Sequence, residues 1–586
     1  LDQKYGKAQS NRCLTSHYPS DQNSQELFEY HRSFGEQFAQ PAVELKQEQL
    51  HKHNGKLRVG YVSPDFRSHS VAYFFESLLK AHNSDQVETF CYYNNALVDQ
   101  TTERLMHHAD HWRSIVGQSD EQVIDLIQND QINILVDLAG HTNENRLTLF
   151  AHKPAPVQVT WLGYPNTTGL DAIDYRFTDD IADPVGEADD FHTEQLVRLP
   201  QGMWCYNGDE TVAPSTQLPY DRNGFITFGS FNNLAKVTPD VLNTWADILN
   251  QVPGSKLLIK TKELADELTQ QRVLSLLRDN GIDETRISLK AAMPNKEDHL
   301  NLYSEIDIAL DSFPFNGATT TCEAVWMGVP VLTLRGERHV ARVGASMMHR
   351  IGLDNFVAES QDDYVEKARH FAENTDYLRQ LRENMRQRVE QSPLCDANAF
   401  AKNIERAFNF MWEACDQASP ETDDHVSFDD AIKKSIELFQ ANHLDEAAAL
   451  ARSLHHRDPN SFEAIDVLAG TLLTQNKLEE AINAYEVAVK LRPDYCIGFF
   501  NLGVASQDLG RPDQAIEFYS KAIELDPNMP DAFYNRGISF DSLDKLHNAL
   551  EDYQTAIKLA PNFSEAYNNA GNCLRKMNVF SEAIEH

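Results

Sequence analysis

The chain has 586 residues, which at roughly 150 residues per domain predicts three or four domains. An apolar share of 41% and a charged share of 24% are those of an ordinary folded protein and exclude a disordered or fibrous chain. A formal charge of −36 excludes a protein that coats nucleic acid or an anionic membrane, although a few local lysines could still hold a small phosphate-bearing ligand.

Residues 1–50 are polar except for Ser24 to Ala39, a helical stretch with Leu27, Phe28, Tyr30, Phe34 and Phe38 on roughly one side. This reads as a connector, 1–56, that docks on something larger. From Leu57 short β-rich runs alternate with helical patterns: Leu57–Val62, Val87–Tyr93, Ile132–Leu138 and Val157–Trp161, separated by helices such as Val71–Ala81 and Glu121–Gln128. Such alternation predicts a parallel sheet covered by helices over 57–222. Asn207 to Asn223 has the composition of a linker. A second α/β domain is expected over 223–416, with strands Phe225–Ser230, Lys256–Lys260, Arg286–Leu289, Ile306–Leu310 and Val329–Leu334. Its helices are Pro239–Gln251, Glu263–Asn280, Lys296–Glu305 and Thr321–Met327, and the helical stretch Gln361–Asp416 closes it. Two such domains would hold a ligand between the C-terminal ends of their strands.

A second linker, 417–427, precedes an array over 428–586. Pro459, Pro493, Pro527 and Pro561 recur every 34 residues, as do Ala447, Ala481, Ala515, Ala549 and Ala583. Small residues where two helices cross, with Pro at the exit, resemble tetratricopeptide repeats: four whole and a fifth cut short. Asn501, Asn535 and Asn569 share one position, two residues before the repeat Gly, and predict an amide ladder that bonds a peptide backbone without reading its sequence. The second repeat breaks the row with Val467, and the competing reading is that each Asn bonds a neighbouring helix.

Three loops carry residues suited to chemistry. Ser63–His69 follows the first strand, and His69 can transfer a proton or steady a developing charge, or else be an ordinary loop histidine. Phe231–Lys236 follows a strand and precedes Pro239, so Lys236 is placed for phosphate beside a helix start, or is a solvated lysine. Asn316–Glu323 offers Gly317, Thr319 and Thr320 at a helix start, where N–H and hydroxyl groups cradle an anion, and Glu323 one turn in; a plain capping motif is the alternative. Lys296 and His299 share a helix face. There is no Walker A loop and no GxGxxG.

Taken together, VSPDFRSH (62–69), LVDLAGHT (135–142), PAPVQVTWLGYPNTTG (154–169), FGSFNNLAKVTP (228–239), NKEDHL (295–300) and DSFPFNGATTTCEAVWMGVPVLTLRG (311–336) resemble the O-linked N-acetylglucosamine transferase family, including its bacterial and SPINDLY-type members. The resemblance implies an α/β glycosyltransferase of two Rossmann-like domains (GT-B type) joined to an all-α repeat solenoid. It implies inverting, metal-independent transfer of a sugar from a nucleotide sugar, UDP-N-acetylglucosamine by default, to Ser/Thr hydroxyls of proteins captured by the repeats. UDP-glucose and GDP-fucose are alternatives. It makes His69 the active-site histidine, Lys236 the residue that neutralises the leaving diphosphate, and Asn233 its amide-bearing neighbour. Lys296 and His299 become uridine contacts, Thr319 and Thr320 the phosphate pair, and Glu323 the ribose contact. The catalytic base stays open among His69, Asp65 and a donor phosphate oxygen. The chain departs from the family at Asn233, at Glu323, and in having repeats after the catalytic region. A repeat scaffold with a non-catalytic nucleotide-sugar sensor is the rival reading.

Eight Cys without a CxxC pair predict reduced thiols in a cytoplasmic protein. The resemblance implies no metal and no cofactor, and the sequence shows no metal-ligand cluster to set against it. No run of about 18 apolar residues exists to span a membrane. The start at Leu1 without Met and the stop in mid-helix at His586 predict a piece of a longer protein.

Overall fold

Apolar runs without polar alternation make strands that must be covered on both faces, and the central strands of both sheets of this protein follow that rule. The computed structural model describes residues 3–418, 428–458 and 461–577, in two units, Leu1–Ser419 and Pro420–His586. In the first unit β1 (Leu57–Ser63), β2 (Val87–Tyr93), β3 (His111–Ser114), β4 (Ile134–Asp137), β5 (Val157–Thr160), β6 (Tyr175–Thr178) and β7 (Gln195–Arg198) form a sheet in the order 3-2-1-4-5-6-7. A second sheet, in the order 10-9-8-11-12-13, contains β8 (Thr227–Ser230), β9 (Lys256–Lys260), β10 (Ile287–Lys290), β11 (Ile308–Leu310), β12 (Val331–Leu334) and β13 (Val357–Ala358). Every pairing in both is parallel. Strand order reverses between β1 and β4 in one lobe and between β8 and β11 in the other. At these points neighbouring loops part and leave a crevice.

The strands that sequence reading missed are short and lie away from the switch points. The exposed and half-buried residues of β3 and β7 give edge strands little apolar signal. Two expected helices are each divided. A 3₁₀ turn, Lys262–Ala265, precedes helix Glu267–Asp279 because Asp266 caps that helix, its carboxylate accepting from Thr269 N at 2.8 Å. Helix Lys296–Asn301 passes into a 3₁₀ turn, Leu302–Glu305.

The connector contains helix Gln3–Thr15 as well as helix Ser24–Phe38. Phe34 and Phe38 enter the core beneath the first sheet with Phe90, Leu135 and Leu147. The approach is tight at Gly35, where a Cβ would stand 1.6 Å from the Gly169 carbonyl oxygen. After the second lobe come helices Gln361–Glu373, Thr375–Glu390 and Ala397–Ala418. The last returns to the first lobe, where Phe400 meets Trp161 at 5.8 Å and Glu405 takes a 3.0 Å bond with His82. No helix among the described residues is long and apolar enough to cross a membrane.

The second unit consists of helix pairs. Phe428–Gln440 precedes Leu444–Arg457, Phe462–Thr474 precedes Leu478–Leu491, Cys496–Asp508 precedes Pro512–Leu525, and Pro530–Ser542 precedes Leu546–Leu559; Ser564–Lys576 follows. Most of the expected 417–427 linker, Pro459 and Ala583 lie outside the described residues. Repeat geometry rests on small residues facing aromatics: a Cβ on Gly503 would come within 2.5 Å of the Tyr519 ring, and one on Gly537 within 2.7 Å of Tyr553. Gly503→Val therefore overpacks this crossing and destabilises the repeat unit by about 1–3 kcal/mol. Chemical denaturation followed by far-UV circular dichroism measures it, and a midpoint equal to the parent's would show that Tyr519 yields without cost.

Candidate functional site

The loops that leave β1, β8 and β11 at their C-terminal ends meet across a cleft between the two lobes of the first unit. The cleft is open to solvent and spans about 960 Å³, its open mouth included. His69 and Tyr164 line it from the first lobe, and Asn233, Lys236, Thr319 and Thr320 from the second.

His69 caps helix Ser70–Ala81. Its Nδ1 lies 3.4 Å from Val71 N and 3.6 Å from the Asp65 carboxylate. Burial lowers the imidazole pKa, with Asp65 opposing this and Arg67 adding to it, which favours the neutral ring. Asp65 itself is tied to Arg67 at 3.1 Å.

Lys236 is half-buried, with its ammonium turned inward. Nζ donates to the Asn316 carbonyl at 2.7 Å and lies 4.1 Å from the centre of the Phe315 ring. Burial pulls its pKa down to about 8, partly offset by the charge of Asp311. Asn233 is exposed and accepts from Ala235 N at 2.9 Å, so its side-chain oxygen caps the turn Leu234–Lys236.

The helix that opens at Thr319 differs from the one that follows Lys236. Helix Pro239–Gln251 begins with a capping Thr238, whereas the residue before Thr319 is Ala318, which has no side chain to accept a bond. The first-turn N–H groups of Thr319–Trp326 are thus left to whatever enters the cleft. The capping-motif alternative does not form: Thr320 Oγ1 donates to Asn232 at 2.6 Å, and Glu323 turns away to His299 Nε2 at 2.9 Å.

His299 and Glu323 make a second cluster, with the Phe231 and Tyr303 rings packed at a tilt beside it, their centres 4.5 Å apart, and the Tyr303 hydroxyl donating to Thr320 O at 3.2 Å. Lys296, on the same helix as His299, reaches out instead, bonding Asp209 at 3.2 Å and lying 4.2 Å above the Tyr73 ring of the first lobe. The structure thus brings His69, Asn233, Lys236, Thr319 and Thr320 around one cleft, joins His299 and Glu323 to it through the Tyr303 hydroxyl, and sets Lys296 across the lobe boundary. Sequence reading assigned no role to Asn232, Asp311, Phe315 or Tyr164. All four stand inside the long motifs, but nothing in spacing separates a wall residue from its neighbours.

One group among the described residues, Cys13, His31 and His141, gathers metal-type ligand atoms within 4.8 Å of one another. Its histidines already use both ring nitrogens: His31 with Leu27 O and the Tyr164 hydroxyl, His141 with the Ser10 hydroxyl and Thr168 O. The arrangement fastens the connector to the first lobe.

In the second unit Asn501, Asn535 and Asn569 occupy matching positions on successive first helices. Asn501 donates to the Tyr485 hydroxyl at 2.7 Å and Asn569 to the Tyr534 hydroxyl at 3.2 Å, so two of the three amides bond neighbouring helices, as the competing reading expects.

Residues 471–510, 497–529 and 530–563 match tetratricopeptide repeat profiles. A protein of Solanum lycopersicum named probable UDP-N-acetylglucosamine–peptide N-acetylglucosaminyltransferase SPINDLY is 41% identical over 430 residues, covering 72% of this chain and 46% of that protein. The Arabidopsis thaliana protein of the same enzyme name called SEC is 33% identical over 375 residues, covering 61% and 37%. The chain spans about half the length, or less, of these curated relatives. A mutant of Thermobaculum terrenum O-GlcNAc transferase superposes with a TM-score of 0.67 at 34% identity, over 71% of this chain and 79% of that one. The profile of glycosyl transferase family 41 matches residues 37–212 and 210–404, which takes in both sheets and every cleft residue above, and the chain belongs to that family.

Proposed function

We propose that the protein is an inverting, metal-independent glycosyltransferase that moves a sugar from a nucleoside diphosphate sugar to Ser/Thr hydroxyls of proteins. The observation that carries this reading is the cleft itself, where His69 faces an inward-turned ammonium and an uncapped helix start. In the reaction the acceptor oxygen attacks the anomeric carbon, the bond from that carbon to the diphosphate oxygen breaks, and the nucleoside diphosphate leaves with the electron pair. Lys236 and the first-turn N–H groups meet that charge, Thr319 and Thr320 line its seat, and Asn233 borders it. Glu323 and His299 serve the ribose and base, joined by Lys296 once it exchanges Asp209 for the nucleotide. The acceptor proton goes to His69, Asp65 or a donor phosphate oxygen. UDP-N-acetylglucosamine is the first donor to test, as the relatives' names indicate, with UDP-glucose and GDP-fucose beside it. Mass spectrometry of protein acceptors incubated with these three donors tests the reading. Neither transfer nor nucleotide release with any donor would refute it.

Lys236→Ala should lower kcat by about 10²–10³ with the fold intact. Lys236→Arg should fail as well, because a planar fork differs in reach and geometry from the point charge that Lys236 presents beside the Asn316 carbonyl. The parent's kcat/KM reports the free enzyme and should fall as pH rises through about 8, where Lys236 loses its proton. Turnover of the alanine variant near that of the parent would remove Lys236 from the site.

Activity should persist in EDTA, since the charge-bearing groups above leave no task for a divalent ion. Loss on chelation with recovery on adding Mn²⁺ or Mg²⁺ would contradict this.

The repeats are proposed to hold acceptor proteins through Asn501, Asn535 and Asn569. The triple Asn→Ala variant should label protein acceptors more weakly, each lost bond counting for about 0.5–1.5 kcal/mol, while nucleotide binding stays at the parental value. Unchanged labelling, with the repeats shown folded by circular dichroism, would leave the Asn–Tyr bonds as packing only.

A further inference from the structure

Behind the cleft wall lies a carboxylate that the reaction above does not use. Asp311 follows β11 and is 1% exposed. Its Oδ1 accepts from Gly317 N at 2.7 Å, Ser312 N at 2.9 Å and Asn232 Nδ2 at 3.2 Å; its Oδ2 accepts from the Thr333 hydroxyl at 2.9 Å. An ionised carboxylate only accepts, so it dictates which end of the Asn232 amide faces it. The amide nitrogen goes to Asp311, and Oδ1 is left for the Thr320 hydroxyl at 2.6 Å.

The chain Thr333–Asp311–Asn232–Thr320 thereby ties β12, β11, the loop after β8 and the uncapped helix into one unit. Asp311 also fixes Gly317 N, and with it the turn whose Asn316 carbonyl holds the Lys236 ammonium. The fit allows no side chain at Gly317: a Cβ there would stand 2.5 Å from Thr320 Oγ1 and 2.7 Å from Asn232 Oδ1.

We propose that Asn232, oriented by Asp311, is a positioning residue of the donor site that acts through Thr320. The proposal rests on the reading of the cleft as a nucleoside diphosphate sugar site. Because the Thr320 hydrogen is already committed to Asn232, an arriving diphosphate either competes for it or is received by the N–H groups beside it. In both cases Asn232 sets where Thr320 Oγ1 stands.

A double-mutant cycle decides the matter. Asn232→Ala, Thr320→Val and the double variant are compared with the parent for UDP and GDP binding by titration calorimetry, and for melting temperature. Each single substitution should weaken binding about three- to tenfold, the worth of one hydrogen bond. The double variant should bind no more weakly than the poorer single one, as coupled residues do. Thr320→Ser, which keeps the hydroxyl, should retain parental affinity, and Gly317→Ala should imitate Asn232→Ala. Thr333→Val removes a bond from the other oxygen of Asp311 and should lower the melting temperature while binding stays within twofold. Additive losses, parental binding by a folded Asn232→Ala variant, or equal weakening by Thr333→Val would overturn the proposal. A parent that binds neither UDP nor GDP would overturn the donor reading and this inference with it.

Discussion

One constraint shapes the second lobe: a lysine ammonium has to be kept charged inside a protein wall before any anion arrives. Removing such a cation from water is costly unless oxygen atoms replace the lost hydration. Here the Asn316 carbonyl, the face of Phe315 and the more distant charge of Asp311 take that part, and the compensation is incomplete, since the pKa of Lys236 still falls to about 8. Incomplete compensation suits a residue whose partner comes and goes. A direct carboxylate pair would hold the charge better but would repel an incoming phosphate; Asp311 instead spends its oxygens on Gly317, Ser312, Asn232 and Thr333.

The strand order explains why these groups can meet. The loops after β8 and β11 part at the reversal point, so Lys236 and Thr320 come from opposite sides of one crevice. In the first lobe the corresponding reversal lies beside β1, the strand that delivers His69. The alignment of the two crevices is supported from outside the sheets. Helix Ala397–Ala418 carries the chain back from the second lobe to the first, and the Lys296–Asp209 bond with Tyr73 beneath it crosses the boundary at the rim.

Much of this was legible in the sequence, and unevenly so. Buried strands such as β2 and β9 are visible because both of their faces are covered, so that mostly apolar runs, Thr89–Tyr93 and Leu257–Ile259, lie unbroken along the chain. An edge strand such as β3 is not, because none of its four residues is buried and each answers partly to solvent. His69, Lys236 and Thr320 were singled out by chemistry at loop positions, but the distinction between a loop residue that faces the cleft and one that braces it depends on direction. Asn232 and Asn233 are adjacent and chemically identical, yet one is buried between Asp311 and Thr320 while the other is exposed and caps a turn. Position along the chain cannot separate them; only the side of the backbone on which each falls can.

The charge of the whole chain sharpens the same point. With a formal charge of −36, the long-range field of the protein repels a nucleoside diphosphate sugar. Attraction must therefore be local, within a Debye length of about 8 Å at physiological salt. Inside that radius the cleft offers an ammonium and the N–H groups of a helix without a capping side chain, with Asp311 shielded behind Asn232 and the Gly317 turn. The wall therefore has two separate electrostatic tasks: presenting positive charge to the cleft and keeping its own structural carboxylate out of it. Asn232 stands where the two meet, its amide nitrogen toward Asp311 and its oxygen toward Thr320, so the carboxylate is in contact with the wall and not with the space where a diphosphate would lie.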